Sequence, residues 1–477
     1  MSDLVGWAAH ADAVARAKAS YDAIPVGQPV RLAKRTSNLF RARAHTKAAG
    51  LDVSGLEGVI TVDIGADGDH SATADVQGMC TYERLVDVTL ARGYIPYVVP
   101  QLRSITLGGA VTGLGIESTS FRNGLPHESV LEMDVLTGAG EVVTTRPGED
   151  LFDAFPNSYG SLGYATRIKI RLEKVPGYVD LRHVRFDDLD ALAKTAEVIV
   201  EQREYEGVRV DGLDGVVFAQ DEAYLTLATW ADVVSTGSTT RDGSTTRDLS
   251  DYTGMEPYFR SLQRRETDFL TMYDYLWRWD TDWFWCSGAF GLHNPRVRRL
   301  WPRRWRRSDV YHHLVGLENR FGVMARLDRA RGKPPRERVI QDIEVPVDQV
   351  ATFLRWFDEA IGMRPVWLCP LRLHEPSGPG SARAWPSYPL RADTTYVNIG
   401  FWGTVPIDPG AEDGDKNRAV ERRVTELGGH KSLYSDAYYD RETFDRLYGV
   451  ANQRRVKQQV DPDNRLTGLY EKAVNRR

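Results

Sequence analysis

The sequence has few of the residues that build metal sites or disulfide frameworks, and it has no long apolar run. Its 477 residues include only three cysteines, Cys80, Cys286 and Cys369, and their separations match no metal or redox motif. No stretch of about 18 apolar residues occurs, so a transmembrane helix is not expected. The N-terminal segment lacks the basic start and apolar run of a signal peptide. These absences predict a protein without a metal site in a reducing cytoplasm.

Charge and composition give no indication of a nucleic-acid partner. The formal net charge is −5, and hydrophobic and charged residues make up 42% and 27% of the chain, which is ordinary for a globular protein. Nothing in the overall charge therefore draws the chain to nucleic acid, and no known binding motif is present. The length allows about two or three domains.

The most distinctive stretch runs from Ile105 to Gly124 and reads ITLGGAVTGLGIESTSFRNG. Glycine permits positive φ angles and close approach of a ligand, and successive free N–H groups form a concave anion site that suits a diphosphate. The alternative is a glycine-rich turn between core strands, because a lone Gly-x-Gly is a weak signal. Gly113 and Gly115 are followed by Ser118 where a Rossmann fingerprint requires glycine or alanine, so a Rossmann site is not predicted.

The segments after this stretch carry a more specific pattern. Strands are predicted at 130–136, 141–145 and 165–172, and the motif LFDAF and the loop NSYGSLG stand between the second and the third. From about residue 30 to residue 175, this order resembles the FAD-binding domain of the vanillyl-alcohol oxidase family. The resemblance implies an α+β fold in which residues 1–176 bind an extended FAD and a ferredoxin-like α+β cap domain covers the substrate.

The resemblance also assigns the cofactor contacts. The first phosphate-binding loop of the family usually carries glycines, whereas this chain has hydroxyl and amide side chains there that can donate hydrogen bonds. The implied FAD-binding residues are Arg35, Thr36, Ser37, Asn38, Thr106, Leu107, Gly108, Gly109, Gly113, Gly115, Ile116, Ser118, Ser120, Gly163 and Ala165. Some relatives attach FAD covalently, but His45 and His127 do not stand in the sequence context used for that bond. We therefore expect FAD to be bound non-covalently.

The remainder of the chain divides into a cap and a C-terminal segment. Two strand–helix–strand sets are predicted within residues 177–414, separated by the tandem repeat GSTTRDGSTTRD. The repeat has no apolar residue that could anchor it, so residues 235–250 are predicted to form a mobile surface loop. Residues 415–477 are predicted to be helical and to return to the flavin, since the segment DPDNRL resembles the one with which the family ends.

An aromatic block and a basic segment follow each other within the cap. The block, residues 272–291, includes Trp279, Trp283 and Trp285, and such density indicates either a packed core or an apolar ligand site. We assign these three tryptophans to the substrate. The segment 296–307, RVRRLWPRRWRR, alternates basic and aromatic residues, which favours an anionic membrane surface over nucleic acid. Peripheral binding at the inner face of the cell membrane is therefore predicted.

Five segments narrow the resemblance: GLGIESTS, the aromatic block, VWLCP, NIG and LYSDAYYDRETF. Together they look like the delta-24-sterol reductases, FAD enzymes that saturate an isolated double bond with NADPH. A bacterial branch of that family reduces 10-methylene to 10-methyl fatty acyl chains of phospholipids, as in tuberculostearic acid, and this branch implies a partner methyltransferase. The alternatives are a sterol side-chain reductase, an FAD-linked alcohol or sugar oxidase, and a non-catalytic lipid-binding protein.

The implied chemistry requires an acid. An isolated double bond has no carbonyl to hold developing charge, so one carbon must be protonated as hydride from the flavin reaches the other. By their positions in the matching motifs, Tyr438 is the first candidate donor, Glu117 the second, and Tyr434 a further catalytic candidate. The alternative for Glu117 is a hydrogen bond to loop or FAD hydroxyls.

The lack of a matching histidine or cysteine predicts that FAD separates from the denatured protein. After acid precipitation of the purified flavoprotein, the yellow absorbance should be found in the supernatant, as it is for free FAD taken through the same steps. Flavin retained in the pellet would show a covalent bond, and flavin in neither fraction would contradict the cofactor.

Overall fold

The computed structural model describes residues 4–33, 41, 50–65, 72–232, 248–321, 332, 334–375, 381 and 383–474. The predicted FAD-binding residues Arg35, Thr36, Ser37 and Asn38 lie outside these ranges, as do His45 and most of the predicted loop 235–250. Within them, the chain forms two packed α+β units and a C-terminal segment that joins them.

The N-terminal unit is built on one antiparallel sheet. Its elements in chain order are α1 Gly6–Asp22, β1 Arg31–Leu32, β2 Gly50–Leu51, β3 Val59–Asp63, β4 Thr73–Gln77, α2 Tyr82–Leu90, β5 Tyr94–Pro96, α3 Leu107–Gly113, α4 Ser120–Asn123, β6 Val130–Leu136, β7 Val142–Thr145, α5 Asp150–Ala154 and β8 Tyr164–Lys174. The sheet has the order β3-β4-β8-β6-β7, and β5 pairs with the C-terminal end of β8.

Strand β8 shows why this sheet has one apolar and one charged face. Ile168, Ile170 and Leu172 alternate along the strand and are buried, as the two-residue period of a strand requires. On the other face, Arg167 donates hydrogen bonds of 2.6 Å to both Asp75 and Asp134. The arginine is thus buried with paired charges, which avoids the large cost of an unpaired one.

The cap unit contains the larger sheet. Its elements in chain order are β9 Tyr178–Phe186, α6 Leu189–Gln202, β10 Glu204–Tyr205, β11 Val208–Arg209, β12 Gly212–Ala219, β13 Glu222–Ala231, α7 Tyr258–Ser261, β14 Thr267–Thr271, α8 Met272–Leu276, α9 Pro295–Leu300, α10 Ser308–Phe321, β15 Arg336–Pro346, α11 Val350–Ala360, β16 Val366–Leu371 and β17 Tyr396–Pro406. With β18, His430–Lys431, they give an eight-stranded sheet in the order β14-β9-β13-β12-β16-β17-β15-β18.

Two sets of the same element order make up this sheet. The first is β9-α6-β12-β13 and the second is β15-α11-β16-β17, and the sets meet where β12 pairs with β16. The strand order β9-β13-β12 on one side is mirrored by β16-β17-β15 on the other. This duplication agrees with the two strand–helix–strand sets predicted from the sequence, and the α+β fold class is confirmed.

The two faces of the large sheet contact different partners. Ile343, Leu368 and Ile399 belong to a core cluster with residues of α6, α11 and α12, the last spanning Asp415–Glu426. Trp367 and Trp402 point the other way and join the core shared with the N-terminal unit. Because side chains alternate along a strand, the second face is the one that meets the glycine-rich segment.

The C-terminal segment fastens the two units together. After α12 and β18 it forms α13 Arg441–Leu447, α14 Val450–Val460 and α15 Leu469–Ala473. Helices α13 and α14 are separated at Gly449, which has a φ of 58°. Ala139 N–H donates to Val460 O at 3.0 Å and Val30 N–H to Arg465 O at 2.8 Å, so the segment packs on the N-terminal unit.

Candidate active site

A cavity of about 300 Å³ lies between the glycine-rich segment and the second face of the large sheet. This volume is at the lower end of the roughly 300–1,000 Å³ that is usual for ligand pockets. One wall is formed by the segments 105–116 and 159–165, and the opposite wall by aromatic side chains and Asp342. The cavity therefore lies where the two units meet.

The glycine-rich segment is helical here rather than an open loop. Thr106 caps α3 by accepting a hydrogen bond from Gly109 N–H at 3.2 Å. The N–H groups of Leu107 and Gly108 donate to Cys80 O and Gly78 O, both at 2.9 Å. These N–H groups are thus used within the protein, which differs from the free anion-binding groups that the sequence suggested.

The glycines instead allow close packing and leave space in the cavity. A Cβ atom added at Gly108 would come within 2.6 Å of Gly78 O, so this residue packs directly on backbone. A Cβ at Gly109 would approach only Thr106 Oγ1, and one at Gly113 would lie 3.4 Å from the Tyr159 ring. Side chains at Gly109 and Gly113 would therefore enter the cavity. A wall made of glycine backbone and Ala110 suits the flat ring system of FAD.

Eight of the predicted FAD-binding residues line this cavity. They are Thr106, Gly108, Gly109, Gly113, Gly115, Ile116, Gly163 and Ala165. Leu107 is buried in the core instead. Ser118 shares a 2.6 Å hydrogen bond with Tyr275, and Ser120 Oγ accepts from Glu117 N–H at 3.1 Å. The two serines thus make contacts within the protein, and their predicted FAD contacts stay predictions.

The opposite wall is aromatic. Trp283, Phe284, Trp367 and Trp402 line the cavity, and the Phe284 ring stacks on Trp402 with centroids 4.3 Å apart. Trp283 and Phe284 have φ angles of 46° and 60°, a left-handed conformation that is costly for such residues. The block between α8 and α9 thus bends sharply at the cavity and turns two rings toward it.

The other two predicted substrate tryptophans stand behind this wall. Trp279 is buried, stacks on Phe284 at 4.9 Å and donates its indole N–H to Asp214 at 2.8 Å. Trp285 donates to Trp402 O at 3.1 Å. Of the three, only Trp283 lines the cavity. Trp279 and Trp285 pack behind the aromatic wall and support it. The block 272–291 is therefore a packed core on one side and part of the cavity lining on the other.

Glu117 belongs to a buried ionic group next to the cavity. Arg278 donates to Glu117 at 3.1 Å and to Asp214 at 2.8 Å, and the Asp214 carboxylate also accepts the Trp367 indole N–H at 3.3 Å. Burial raises the pKa of Glu117, and the nearby Asp214 carboxylate raises it further against the effect of Arg278. The Glu117 side chain does not line the cavity, and its contacts tie the glycine-rich segment to the cap.

An acid that the sequence did not single out faces the cavity. Asp342 lines it together with Tyr434, and Trp402 donates its indole N–H to the Tyr434 hydroxyl at 2.9 Å. Burial raises the pKa of Asp342 to about 7, although Asn398, Tyr434 and Lys431 favour its charged form. A group with such a pKa is suited to give up a proton near neutral pH.

Tyr438, the first candidate donor, is placed elsewhere. Its ring lies beside Gly414 and Arg418 near the start of α12, and its backbone N–H donates to Glu421 at 3.0 Å. Tyr434, four residues earlier, reaches the cavity instead. The signal that could have found Asp342 is the strand IQDIEV, which carries two acidic residues among apolar ones, an unusual composition for a strand in a core.

Three further observations concern the cofactor, metal ions and the membrane. Among the described residues that line the cavity, none is a histidine or a cysteine, and non-covalent binding of FAD stays a prediction. The described part of the chain shows no cluster of three metal-ligating side chains. No helix in the described ranges is long and apolar enough to cross a membrane.

Comparison with known proteins agrees with this geometry. Residues 5–146 match the profile of a family described as FAD binding domain. The chain is 27% identical over 395 residues to the delta(24)-sterol reductase of Rattus norvegicus, covering 80% of this chain and 70% of that protein. It is 26% identical over 410 residues to the delta(24)-sterol reductase of Homo sapiens, with 83% and 73% covered. Cytokinin dehydrogenase 3 of Oryza sativa subsp. japonica is 30% identical over 186 residues, 38% of this chain and 34% of that protein.

The profile match and the glycine-walled cavity define the class of protein: it is an FAD-binding oxidoreductase that resembles the vanillyl-alcohol oxidase family. Within that family, the chain resembles the sterol reductases over most of its length. The predicted FAD-binding domain and enzyme class are therefore confirmed.

The wall formed by α3 predicts the effect of adding a side chain to it. Gly109→Val should abolish FAD binding, because the new methyl groups would occupy the cavity, while the helical φ at this position is not strained by valine. Flavin absorbance per mole of purified protein measures the effect. Gly177→Val, at an exposed glycine with nothing within 4 Å, is the matched control. Normal flavin content in the Gly109 variant would show that FAD does not lie against this wall.

Proposed function

We propose that this protein is an FAD-dependent reductase that saturates an isolated carbon–carbon double bond of a lipid with NADPH. The preferred substrate is a 10-methylene fatty acyl chain of a phospholipid, as in the formation of tuberculostearic acid. The observation that carries the proposal is one cavity with an aromatic wall, a glycine wall and a buried acid, Asp342. The sterol reductases that the chain resembles support the class of reaction.

The aromatic wall explains how an acyl chain would be held. Trp283, Phe284, Trp367 and Trp402 offer apolar surface, and each buried CH₂ group of a ligand gains about 0.8 kcal/mol. Asp214 accepts the indole N–H of Trp367, and Trp402 is tied to Tyr434, so the two rings have fixed orientations. An acyl chain carries no hydrogen-bonding group along its length, and the indole N–H groups of Trp367 and Trp402 in this wall already have partners within the protein.

The acid completes the reaction. FAD supplies the hydride when it is bound against the glycine wall. Asp342 donates the proton to the terminal CH₂ carbon of the substrate, which leaves the positive charge on the tertiary carbon that accepts the hydride. Tyr434 orients Asp342, and its own pKa is raised by burial and by the Asp342 charge, so it stays a neutral hydrogen-bond donor. We therefore place the proton donor at Asp342 rather than at Tyr438 or Glu117.

A sterol side-chain reductase is the second candidate, because relatives that match most of this chain carry that name. A double bond in a sterol side chain is also isolated and apolar, so the same wall and acid would serve it. Lipid mass analysis of a methyltransferase-bearing host, with and without this protein, separates the two. Conversion of methylene to methyl chains supports the acyl substrate, and reduction of added sterol alone would favour the sterol. Reduction of the flavin by an alcohol and not by NADPH would favour an oxidase.

The basic segment gives a surface for the lipid substrate. Leu300 is 86% exposed, Trp305 47% and Val297 38%, and they lie among the exposed side chains of four arginines. These are Arg296, Arg299, Arg303 and Arg304. Exposed apolar side chains among basic ones suit an anionic bilayer, where rings and chains enter the headgroup layer. This placement supports a peripheral position at the inner face of the cell membrane.

Three other arginines of the segment have internal roles. Arg298 is buried and pairs with Asp282 at 2.6 Å, and Arg306 is buried among backbone carbonyl groups. Arg307 pairs with Glu83 at 2.8 Å. These contacts hold the segment on the N-terminal unit and on the aromatic block. A test of membrane binding should therefore leave these three residues unchanged.

Replacing the acid should separate the two half-reactions. In Asp342→Asn, flavin reduction by NADPH should be near the parent rate, whereas alkene reduction should fall by ~10²–10⁴, as is usual when a general acid is lost. Stopped-flow absorbance follows the first step and mass analysis of the acyl product the second. Tyr438→Phe tests the donor expected from the sequence. A large loss of alkene reduction in that variant, with no loss in Asp342→Asn, would show that Tyr438 and not Asp342 is the proton donor.

The raised pKa of Asp342 predicts the pH dependence of the same step. The donor must be protonated. The rate of alkene reduction should therefore be highest at low pH and should decline as the pH rises through about 7, the pKa to which burial raises Asp342. Flavin reduction by NADPH should not share this decline. An alkene-reduction step that is flat between pH 6 and pH 9 would contradict Asp342 as the donor.

The exposed arginines should control membrane binding. Changing Arg296, Arg299, Arg303 and Arg304 to Ser should weaken binding to anionic vesicles by roughly a thousandfold at low salt, since each contributes about 1 kcal/mol. Co-sedimentation with anionic and neutral vesicles measures this. The charge-matched control changes exposed arginines of other segments, Arg185, Arg446, Arg454 and Arg455, to Ser. Equal binding of parent and variant, or of anionic and neutral vesicles, would exclude this surface.

A further inference from the structure

The strand that carries Asp342 carries a second buried acid on the same face. Glu344 lies two residues further along β15, and side chains two apart on a strand project to the same side, about 7 Å from each other along the chain. Val339, Ile343 and Val345, which alternate with the acidic residues along the strand, project from its other face and pack against the helices. Glu344 is 0% exposed. The sheet therefore holds a carboxyl group next to the proposed donor and away from solvent.

One serine joins the two acidic positions. Ser432, just after β18, donates its backbone N–H to Asp342 O at 3.0 Å and its hydroxyl to Glu344 Oε1 at 3.2 Å. The second carboxyl oxygen of Glu344, Oε2, has no hydrogen-bond partner among the described residues. A buried carboxylate normally has more partners than this, because an unpaired charge in the interior is costly. The surroundings fit a neutral carboxylic acid that holds a proton.

Further charged groups lie near Glu344. Lys431 is also buried, and its ammonium donates to Ser432 O at 3.1 Å and to Ser435 Oγ at 3.3 Å. Glu421 of α12 is buried near Lys431, and the following residue, Arg422, is exposed. The other titratable groups that face this set are Asp342, His430, Arg41, Asp436, Tyr159, Tyr388, Tyr439 and Tyr448.

Burial shifts all three groups toward their neutral forms. It raises the pKa of Glu344 well above its usual value, and the Asp342 charge raises it further. It raises the pKa of Glu421 to about 7 and lowers the pKa of Lys431. Protons can thus be exchanged within this group near neutral pH, where an ordinary carboxyl group would already have lost its proton.

We propose that Glu344 is an internal proton store that reprotonates Asp342 after each turnover, and that Lys431 and Glu421 recharge it from the α12 side. The inference rests on the proposed function, in which Asp342 loses one proton per double bond reduced. The proton passes from the Glu344 carboxyl to the Asp342 carboxylate across one bridging water. The Glu344 carboxylate that remains is stabilised by Lys431 until it takes up a proton that enters from solvent. No other reactant is consumed, and Glu344 is a positioning residue that acts through Asp342.

The route has a physical reason in the shape of the site. The acyl chain and the flavin would fill the cavity during reduction and exclude water from Asp342 on that side. Glu344, which lies beside Asp342 on the same strand, can return the proton without product leaving first. The lipid substrate and the returning proton would then reach Asp342 by separate routes.

Comparison of the first turnover with later ones tests this inference. The FAD-loaded Glu344→Gln variant keeps an acceptor for Ser432 Oγ but cannot store a proton. When NADPH-reduced enzyme is mixed with methylene acyl lipid, its first flavin reoxidation should match the parent rate, and its steady-state turnover should fall by at least about tenfold. Glu337→Gln is the matched control, because Glu337 is buried on the same strand but faces away and pairs with Asn417. Ser432→Ala gives a second variant in case Glu344→Gln does not fold, and it should also slow the later turnovers.

A spectroscopic measurement that needs no turnover accompanies this test. One component of the infrared band of protonated carboxylic acids should persist above neutral pH in the parent protein, and this component should be lost in Glu344→Gln while those of Asp342, Glu421 and Glu117 remain. Equal steady-state rates in parent and Glu344→Gln, or a first turnover that is slowed as much as the later ones, would overturn the relay. If the parent forms no methyl product at all, the proposed function fails instead, so the two failures are distinguished by the product analysis.

Discussion

The burial of carboxyl groups between two packed sheets is the constraint on which the site depends. Moving a carboxylate from water to a protein interior costs several kcal/mol unless a cation or several donors compensate. Asp214 has Arg278 and two indole N–H groups, so it is paired. Among the described residues, no cation forms an ion pair with Asp342, and its pKa rises to about 7. At Asp214, the groups that compensate the cost of burial also hold the aromatic wall in place. At Asp342, the cost of burial raises the pKa, so this carboxyl group can act as an acid near neutral pH.

Small residues on the facing unit make that burial possible. Helix α3 approaches the β4 end closely because Gly108 lies on Gly78, and Gly109 and Gly113 leave the space between the units open. A larger residue at Gly108 would meet the backbone of Gly78, and one at Gly109 or Gly113 would take up space in the cavity. The glycine segment therefore determines the shape of the wall that faces Asp342.

The aromatic block connects this cavity to the protein surface. Asp282, next to Trp283, pairs with Arg298, and Arg103, beside the cavity-lining Leu102, donates to Asp280 at 3.2 Å. The exposed apolar and basic side chains thus sit on a framework fixed to both cavity walls. Under the proposed function, the lipid would arrive on the side of this surface, and protons would arrive through the far side of the sheet. Separate routes would prevent the apolar substrate from blocking the supply of protons.

The sequence by itself determined the class of this protein and much of its secondary structure. The order of the glycine segment, hairpin and LFDAF motif identified the FAD-binding domain, because chain order and local motifs are properties of the sequence. The predicted strand 130–136 agrees with the structure to the residue, since a half-buried strand has a two-residue period. The site residues were less accessible to sequence reasoning. Tyr434 and Tyr438 stand in the same motif, and only the path of the chain after β18 decides that Tyr434 reaches the cavity. Asp342 and Glu344 became an acid pair only through tertiary burial, because a pKa is set by what surrounds a carboxyl group and not by its neighbours in sequence.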